Sequence, residues 1–360
     1  MFKNILCFLL NKIYKIFKFV VFVFDSEILH NIAIYLLKNN FVPSAKLKQS
    51  QEDSLNIKFF NYIAKNPIGL AAGFDKNAEC LRNLSKIGFG FIEVGTSTPL
   101  PQYGNSKPRL FRLKKYKSIV NRFGFNNKGS DYFVNNLKNF YLNPLRDKKV
   151  LIGANIGKNK DTQDISSDYI TMIKKVYEYC DYITINISSP NTKGLRDIQN
   201  EKNLEILLQD IDSIKNDLIK KTNNITPILL KISPDISNEQ VVQIINLVGI
   251  YKIDGLILTN TTVQKKFQKN QDEISIDIEG GISGNLLKDR SFEILKLFNT
   301  EIKKQNKNIP IISVGGISSS QDISDRLNNG AFAVQIYSSL IYEGFYLIHS
   351  LKKDLKSYKN

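Results

Sequence analysis

The sequence predicts an α/β fold: a (β/α)8 barrel that follows a small N-terminal helical, membrane-associating region. Short apolar segments rich in β-branched residues alternate with helical patterns, and eight such segments fit the size of a barrel. An open, doubly wound sheet is the alternative, but no G-x-G-x-x-G motif follows the first segment. The predicted strands are residues 67–72, 91–95, 151–155, 182–187, 228–232, 255–259, 310–314 and 333–337.

Helix signals between these strands support the alternation. Ser237 and Gln240 form the S-x-x-Q pattern of a capping box. Gly88 is expected to end a helix that begins near Lys76, because glycine commonly follows the last turn of a helix.

The first 24 residues are apolar but interrupted by lysines, so a spanning helix, which needs ~20 mostly apolar residues, is not favoured. A cleaved signal peptide is the alternative, although no A-x-A-like site follows. A helical arrangement predicts an interfacial anchor with one basic and one apolar side. The basic side carries Lys12, Lys15 and Lys18, and the apolar side carries Ile13, Phe17, Val20 and Phe24.

A second short helix is predicted from Asp25 or Ser26 to about Lys38. It either packs on the barrel or shapes, with the first helix, an apolar entrance from the membrane. The predicted boundaries are residues 1–42 for the N-terminal helices, 43–56 for a polar linker and 57–360 for the barrel. One face of the second helix carries Ile28, Ile32, Tyr35 and Leu36.

The amino-acid composition excludes several kinds of catalytic and binding site. Three cysteines without a C-x-x-C pair argue against a disulfide framework and a thiolate metal site, and no metal is expected. Only His30 and His349 are available, which leaves little room for a Ser-His-Asp relay. The net charge of +16 comes from scattered lysines rather than a basic-aromatic block, so a nucleic-acid partner is not expected. A cofactor is therefore expected to carry the reaction.

Glycines and polar residues follow the predicted strands at the end where barrel enzymes place their active sites. Gly315 and Gly316, with Tyr337 and Ser338 from the last strand, predict a phosphate pocket. Redox chemistry at a bound flavin fits this pattern.

Other strand-end residues predict the ligand's chemistry. Lys76 suits a substrate carboxylate, and Lys231 suits negative charge on a cofactor ring. Carboxamides offer a donor and an acceptor together, which suits the edge of a pyrimidine-like ring. These carboxamides are Asn121, Asn186, Asn191 and Asn260.

Motif strings in a fixed order carry a family resemblance between about residues 25 and 344. They include NPIGLAAGFDKN, GFGFIEVGTSTPLPQYGNSKPRLFRL, NRFGFNNKG, NIGKNKDT, NISSPNTKGLR, TNTT, GGISG, PIISVGGI and VQIYSSLIYEG. TNTT and GGISG are weak alone, whereas NRFGFN and NISSPNT in this order are highly specific. Together the strings resemble class 2, quinone-dependent dihydroorotate dehydrogenases. The resemblance implies an FMN enzyme with a (β/α)8 barrel that oxidises dihydroorotate to orotate in pyrimidine biosynthesis and passes electrons to membrane quinone.

The resemblance also implies roles for individual residues. Ser189 would be the base that removes a proton from substrate carbon 5, while hydride passes from carbon 6 to flavin N5. Class 1 enzymes carry Cys at this position, and Cys180 lies too far upstream to replace it. Substrate would contact Lys76, Asn121, Arg122, Phe123, Gly124, Phe125, Asn186, Asn191, Asn260 and Thr261. FMN would contact Ala72, Gly73, Phe74, Asp75, Lys76, Thr96, Asn155, Asn186, Lys231, Thr259, Gly284, Gly316, Tyr337 and Ser338. Quinone would contact His30, Arg112 and Tyr337.

The implied location is the cytoplasmic side of a membrane, the bacterial inner membrane first of all, as a peripheral membrane protein. Its partners would be lipid and quinone, with no obligate protein partner. Two other functions remain open: a flavin barrel that reduces tRNA uridine, and a non-catalytic membrane-associated barrel. The first calls for a catalytic Cys near the flavin, and the second does not explain Lys76, Ser189 or the four asparagines.

Overall fold

The computed structural model describes residues 18, 22–40, 53–269 and 272–357. Most of the predicted interfacial anchor and of the predicted linker lies outside these residues. The strands are β1 (Ile57–Phe59), β2 (Tyr62–Ala64), β3 (Ile68–Leu70), β4 (Phe91–Ser97), β5 (Leu110–Leu113), β6 (Ser118–Asn121), β7 (Leu151–Ile156), β8 (Tyr182–Asn186), β9 (Ile228–Ile232), β10 (Gly255–Leu258), β11 (Lys266–Lys269), β12 (Asp272–Ser275), β13 (Gly281–Gly284), β14 (Ile311–Val314) and β15 (Ala331–Ile336). The helices are α1 (Ser26–Lys38), α2 (Leu81–Leu84), α3 (Ser130–Tyr141), α4 (Ser167–Val176), α5 (Glu201–Thr222), α6 (Asn238–Ile250), α7 (Lys288–Lys304), α8 (Ser320–Asn328), α9 (Ser338–Glu343) and α10 (Tyr346–Ser357).

Eight parallel strands close into a barrel in the order β3-β4-β7-β8-β9-β10-β14-β15. Each begins and ends within two residues of the strand predicted from the sequence. The barrel prediction is therefore confirmed, and buried strands of this kind are continuous apolar runs because helices cover the sheet. Leu, Ile and Val from the strands and the surrounding helices form one buried core.

An aromatic plug closes the N-terminal end of the barrel. The antiparallel hairpin of β1 and β2 places Phe59, which is fully buried, against the first residues of β4 and β8. Its ring centre lies 4.9 Å from that of Phe91, 5.3 Å from that of Tyr182 and 5.2 Å from that of Phe332. This end of the barrel is packed apolar core.

A small antiparallel sheet lies at the opposite end. Strands β5, β6 and β13 pair so that Asn121 on β6 faces Leu110 on one side and Gly281 on the other. The hairpin of β11 and β12 packs Phe267 and Ile274 into the same apolar cluster as Val120. The sequence prediction did not include these strands, which belong to the loops that follow barrel strands.

The predicted helix near Lys76 is wrong. The Asp75 carboxylate accepts the backbone N–H groups of Glu79 and Cys80 at 2.8 and 2.9 Å, which folds the chain into turns, and Ala78 adopts a left-handed φ of 56°. Helix α2 begins only after these turns. By contrast, the capping box of Ser237 and Gln240 at the start of α6 is confirmed.

Helix α1 has the predicted bounds, because the Asp25 carboxylate accepts the N–H groups of Glu27 and Ile28. Leu37 is fully buried against the barrel. The side chains of Ile28, Ile32 and Tyr35 point to solvent, with exposed fractions of 56%, 48% and 65%. Within the described ranges, the structure contains no helix that is both long enough and apolar enough to cross a bilayer.

Candidate active site

A cavity of about 360 Å³ opens at the C-terminal ends of the barrel strands, between the barrel and the sheet of β5, β6 and β13. Most residues predicted for substrate and cofactor meet in its wall. They are Ala72, Gly73, Lys76, Thr96, Asn121, Phe123, Gly124, Phe125, Asn186, Ser189, Asn191, Lys231, Thr259, Asn260, Thr261, Gly284, Gly316, Tyr337 and Ser338. The wall does not include Phe74, Asp75, Arg122 and Asn155, or the quinone candidates His30 and Arg112.

The four asparagines form two hydrogen-bonded pairs. Asn260 Nδ2 donates to Asn186 Oδ1 at 3.2 Å, and also to Ser188 Oγ at 3.1 Å. Asn191 Nδ2 donates to Asn121 Oδ1 at 3.0 Å. These contacts fix the orientation of each carboxamide, so the cavity presents a preset pattern of donors and acceptors.

Ser189 lies in the loop that follows β8, and its side chain is almost completely buried. Its Oγ accepts the backbone N–H of Asn191 at 3.3 Å. The Tyr169 hydroxyl anchors the preceding strand end by donating to the carbonyl of Asn186 at 3.0 Å. A rigid strand end therefore holds this serine at the cavity wall.

Lys76 provides a cation in the cavity. Its Nζ lies 4.0 Å from the centre of the Phe123 ring, a cation–π contact. Burial lowers the pKa of Lys76 to about 8, against an opposing effect of the Glu27 carboxylate. The ammonium form, present below that pH, attracts a carboxylate.

Glu93, in the middle of β4, is a residue that the sequence reasoning missed. It is fully buried, and side chains from four other barrel strands donate to its carboxylate. The donors are Asn155 Nδ2 at 2.7 Å, Gln335 Nε2 at 2.8 Å, Thr184 Oγ1 at 3.1 Å, Tyr182 Oη at 3.3 Å and Lys231 Nζ at 3.4 Å. A single acid inside an otherwise apolar predicted strand is the signal that identifies such a residue, because an unpaired buried charge is costly.

The same carboxylate orders the cavity floor. Asn155, held by Glu93, accepts from Thr96 Oγ1 at 2.6 Å and from Asn186 Nδ2 at 3.3 Å. Asn155 therefore supports two cavity residues from behind. Lys231 reaches the cavity while paired with Glu93, so its charge is partly balanced.

Glycines shape the pocket predicted for a phosphate. Gly315 and Gly316 have φ values of 125° and 68°, and a Cβ on Gly316 would lie 2.5 Å from the Lys288 Cα. The buried Arg326 guanidinium donates to the carbonyls of Gly315 at 3.1 Å and Lys288 at 2.8 Å, which fixes this loop.

Some buried oxygens along the cavity have no hydrogen-bond partner among the described residues: Thr261 Oγ1, Gln335 Oε1 and Ser339 Oγ. Unpaired polar atoms at a buried wall are costly unless a ligand or water satisfies them. The cavity therefore fits a ligand that brings hydrogen-bonding groups to these oxygens.

Comparisons with known proteins identify the family of this chain. The family model described as dihydroorotate dehydrogenase matches residues 54–358. The chain belongs to the dihydroorotate dehydrogenase family. A relative from Buchnera aphidicola, named dihydroorotate dehydrogenase (quinone), is 42% identical over 95% of this chain and 99% of its own length. A relative of the same name from Pseudoalteromonas translucida has the same identity and coverage. The crystal structure of the Eimeria tenella enzyme in complex with ferulenol is 35% identical, with a TM-score of 0.85, over 93% of this chain and 91% of that chain.

The three quinone candidates come from different elements: His30 lies on α1, Arg112 lies on β5, and Tyr337 follows β15 in the cavity wall. The His30 ring centre is 5.4 Å from that of Phe74, which in turn is 6.2 Å from that of Tyr337. Arg112 stacks on Phe22 and donates to the carbonyl of Phe24. Burial, helped by the Lys76 charge, lowers the pKa of His30 to about 3, so its imidazole is neutral at pH 7.

Proposed function

We propose that this chain oxidises dihydroorotate to orotate in pyrimidine biosynthesis, with FMN as cofactor and a quinone as final electron acceptor. One observation carries the proposal: Ser189, Lys76 and the four paired asparagines converge on a single cavity at the catalytic end of the barrel. The relatives named dihydroorotate dehydrogenase (quinone) support the assignment because they align with almost the whole chain.

In this proposal the residues of the wall divide into two groups. The asparagines bind the amide edge of the pyrimidine ring, and Lys76 binds its carboxylate. Ser189 Oγ accepts the proton that leaves carbon 5 while its own hydroxyl proton passes to water, and the N–H of Asn191 orients that oxygen. FMN, when bound, supplies the two-electron acceptor for the hydride that leaves carbon 6.

The FMN residues are proposed from their place in the cavity. Gly284, Gly316 and Ser338, which line the cavity, would hold the FMN phosphate, and Thr96 and Lys231 would hold its ring. Phe74, Asp75 and Asn155 are not in the cavity wall and would act on the FMN residues indirectly. Phe74 packs against the ring of Tyr337, Asn155 accepts from Thr96 Oγ1, and Asp75 holds the turn that follows Lys76. Arg122 likewise supports the substrate segment, since its guanidinium donates to the carbonyl of Pro108 at 2.9 Å.

The quinone and membrane roles are proposed for the N-terminal region, with the boundaries at residues 42 and 56. The apolar face of α1 that carries Ile28, Ile32 and Tyr35 contacts lipid, because contiguous exposed apolar surface of this kind marks an interaction site. His30, Arg112 and Tyr337 then line the quinone route. We place the protein on the cytoplasmic side of the bacterial inner membrane as a peripheral protein.

Anaerobic addition of dihydroorotate to the purified protein tests the reaction. We expect a bound flavin whose visible absorbance is bleached by dihydroorotate and then restored by a quinone. Bleaching by dihydroorotate also contradicts a tRNA-uridine reductase, for which the cavity offers no cysteine: Cys80 and Cys180 are buried elsewhere in the described chain. A protein without flavin, or one whose flavin dihydroorotate does not reduce, contradicts the proposal.

Vesicle binding tests the membrane role. Replacing Ile28, Ile32 and Tyr35 with Ser should reduce sedimentation with anionic lipid vesicles and leave bleaching unchanged. The matched control replaces three exposed apolar residues elsewhere, Ile63, Ile225 and Ile250, with Ser. Equal loss of vesicle binding in both variants contradicts a specific role for α1.

A further inference from the structure

Asn105, in the loop between β4 and β5, joins two separate parts of the candidate site. Its Nδ2 donates to the carbonyl of Arg122 at 3.0 Å and to the carbonyl of Asn191 at 3.0 Å. Arg122 belongs to the segment 121–125 at the end of β6, and Asn191 belongs to the loop that carries Ser189. A single amide group therefore uses both of its hydrogens to connect the two segments.

The surroundings of Asn105 fix this position. Its backbone N–H donates to the carbonyl of Phe123 at 2.9 Å, and Arg109 Nη1 donates to the carbonyl of Asn105 at 2.9 Å. Gly124 leaves the space that the amide occupies, because a Cβ there would lie 2.9 Å from the Asn105 side chain. The side chain has little freedom to turn away from its two acceptors.

Arg109 connects this loop to α1. Its Nε lies 3.0 Å from Glu27 Oε2 and its Nη2 lies 2.7 Å from Glu27 Oε1, and both side chains are buried. Burial alone would raise the pKa of Glu27, but the hydrogen bonds and charge of Arg109 hold this pKa below its usual value. Removing one partner of a buried pair leaves the other uncompensated, so this contact is sensitive to substitution.

We propose that Asn105 is a positioning residue that clamps the Ser189 loop to the segment 121–125, and that Glu27 on α1 holds the clamp through Arg109. The inference rests on the proposed function. Proton transfer to Ser189 requires accurate placement of Oγ, and a misplacement of about 1 Å can cost about 100-fold in rate. The N-terminal helix thereby contributes to the substrate side of the cavity as well as to its proposed quinone route.

Asn105→Asp is the decisive variant. It keeps the size of the side chain but replaces the NH2 donor with an oxygen that faces two carbonyl oxygens. We expect the limiting rate of flavin bleaching by dihydroorotate to fall about 10- to 100-fold, with flavin content and melting temperature close to those of the unchanged protein. The limiting rate should fall less in Asn105→Ala, which removes the donor without adding repulsion.

The matched control is Asn136→Asp on α3, which loses a comparable bond, from Nδ2 to the carbonyl of Asn77 at 2.9 Å, away from the cavity. It should keep the normal bleaching rate.

Glu27→Gln should lower the limiting rate by about three- to tenfold, the effect of one weakened charged hydrogen bond. A normal rate in Asn105→Asp overturns the clamp, and a normal rate in Glu27→Gln overturns its link to α1.

Hydrogen exchange gives a second readout that does not depend on the reaction. Asn105→Asp should accelerate amide exchange in residues 121–125 and 188–194 only. Faster exchange throughout the barrel instead means general destabilisation and overturns the clamp. If the aspartate variant folds poorly, Asn105→Ala takes its place, and the same outcome overturns the clamp. If the unchanged protein is not bleached by dihydroorotate, the proposed function fails while the exchange pattern still decides the clamp.

Discussion

The two ends of the barrel are built from the same strands but have opposite character. Strand β8 begins with Tyr182 in the aromatic plug and ends with Asn186 in the cavity. In the same way, β4 carries Phe91 at its start and the cavity residue Thr96 next to its end. At the plug the rings of Phe59 and its neighbours exclude water. At the cavity, amides and cations remain available for a ligand.

A strand of five to seven residues can therefore carry stability at one end and chemistry at the other. Glu93 marks the transition. Its carboxylate binds Asn155 and Lys231, which support or line the cavity. Substitutions at the two ends should therefore separate stability from activity, which the following predictions test.

The largest effect is expected at the plug. Phe59→Ala should lower the free energy of unfolding by about 3–5 kcal/mol, because it leaves a cavity among packed rings. The bleaching rate of the folded fraction should stay normal. Denaturant unfolding measures the change, and Ile63→Ala, exposed on the same hairpin, should cost less than about 0.5 kcal/mol. Loss of the bleaching rate in folded Phe59→Ala would contradict the separation of the two ends.

The next effect is expected at the cavity. Ser189→Ala should slow flavin bleaching by at least about 100-fold, the usual effect of losing a general base, while flavin and orotate remain bound. Stopped-flow absorbance measures the rate, and thermal unfolding should show a normal melting temperature. Ser189→Cys should exceed Ser189→Ala at high pH, because a thiolate accepts a proton. Near-normal bleaching in Ser189→Ala would exclude this serine as the base.

The sequence could predict the barrel strands because their apolar runs are set by burial, which is a local pattern. It could also predict the cavity residues, because closure of the barrel brings the strand ends together for any conformation of the loops. It did not predict the turns after Asp75, where a side chain rather than a periodic pattern directs the backbone. Contacts such as Asn105 with Asn191 join residues distant in the chain, and a single sequence contains no local sign of them.

The motif strings predicted the family, and the comparisons confirmed it. The individual ligand contacts remain predictions, since convergence on a cavity does not by itself assign a partner to each side chain. Glu93 shows most clearly which kind of residue a single sequence does not reveal. Its five donors come from four strands, so its importance depends on barrel closure rather than on its neighbours in the chain.

A smaller effect is expected from the charge at the substrate end. Lys76→Met should weaken orotate binding by about 1.5–3 kcal/mol, the contribution of a hydrogen bond to a charged group. Titration calorimetry measures the affinity, and flavin content checks the fold. Lys128→Met, which removes an exposed lysine paired with Glu79, is the control and should bind orotate normally. Equal loss in both variants would mean that net charge, rather than the place of Lys76, attracts the ligand.

The smallest effect is expected from pH acting on the same lysine. The pKa of Lys76 is lowered to about 8, so the ammonium form dominates below that pH and is lost above it. Because orotate binds the charged form, its dissociation constant should rise about fourfold from about pH 7 to about pH 8.5. In Lys76→Met this dependence should disappear, and any change that remains belongs to the ligand or to other groups. A pH-independent affinity in the unchanged protein would show that Lys76 keeps its proton throughout this range, and that the cavity compensates its burial more fully than the described charges suggest.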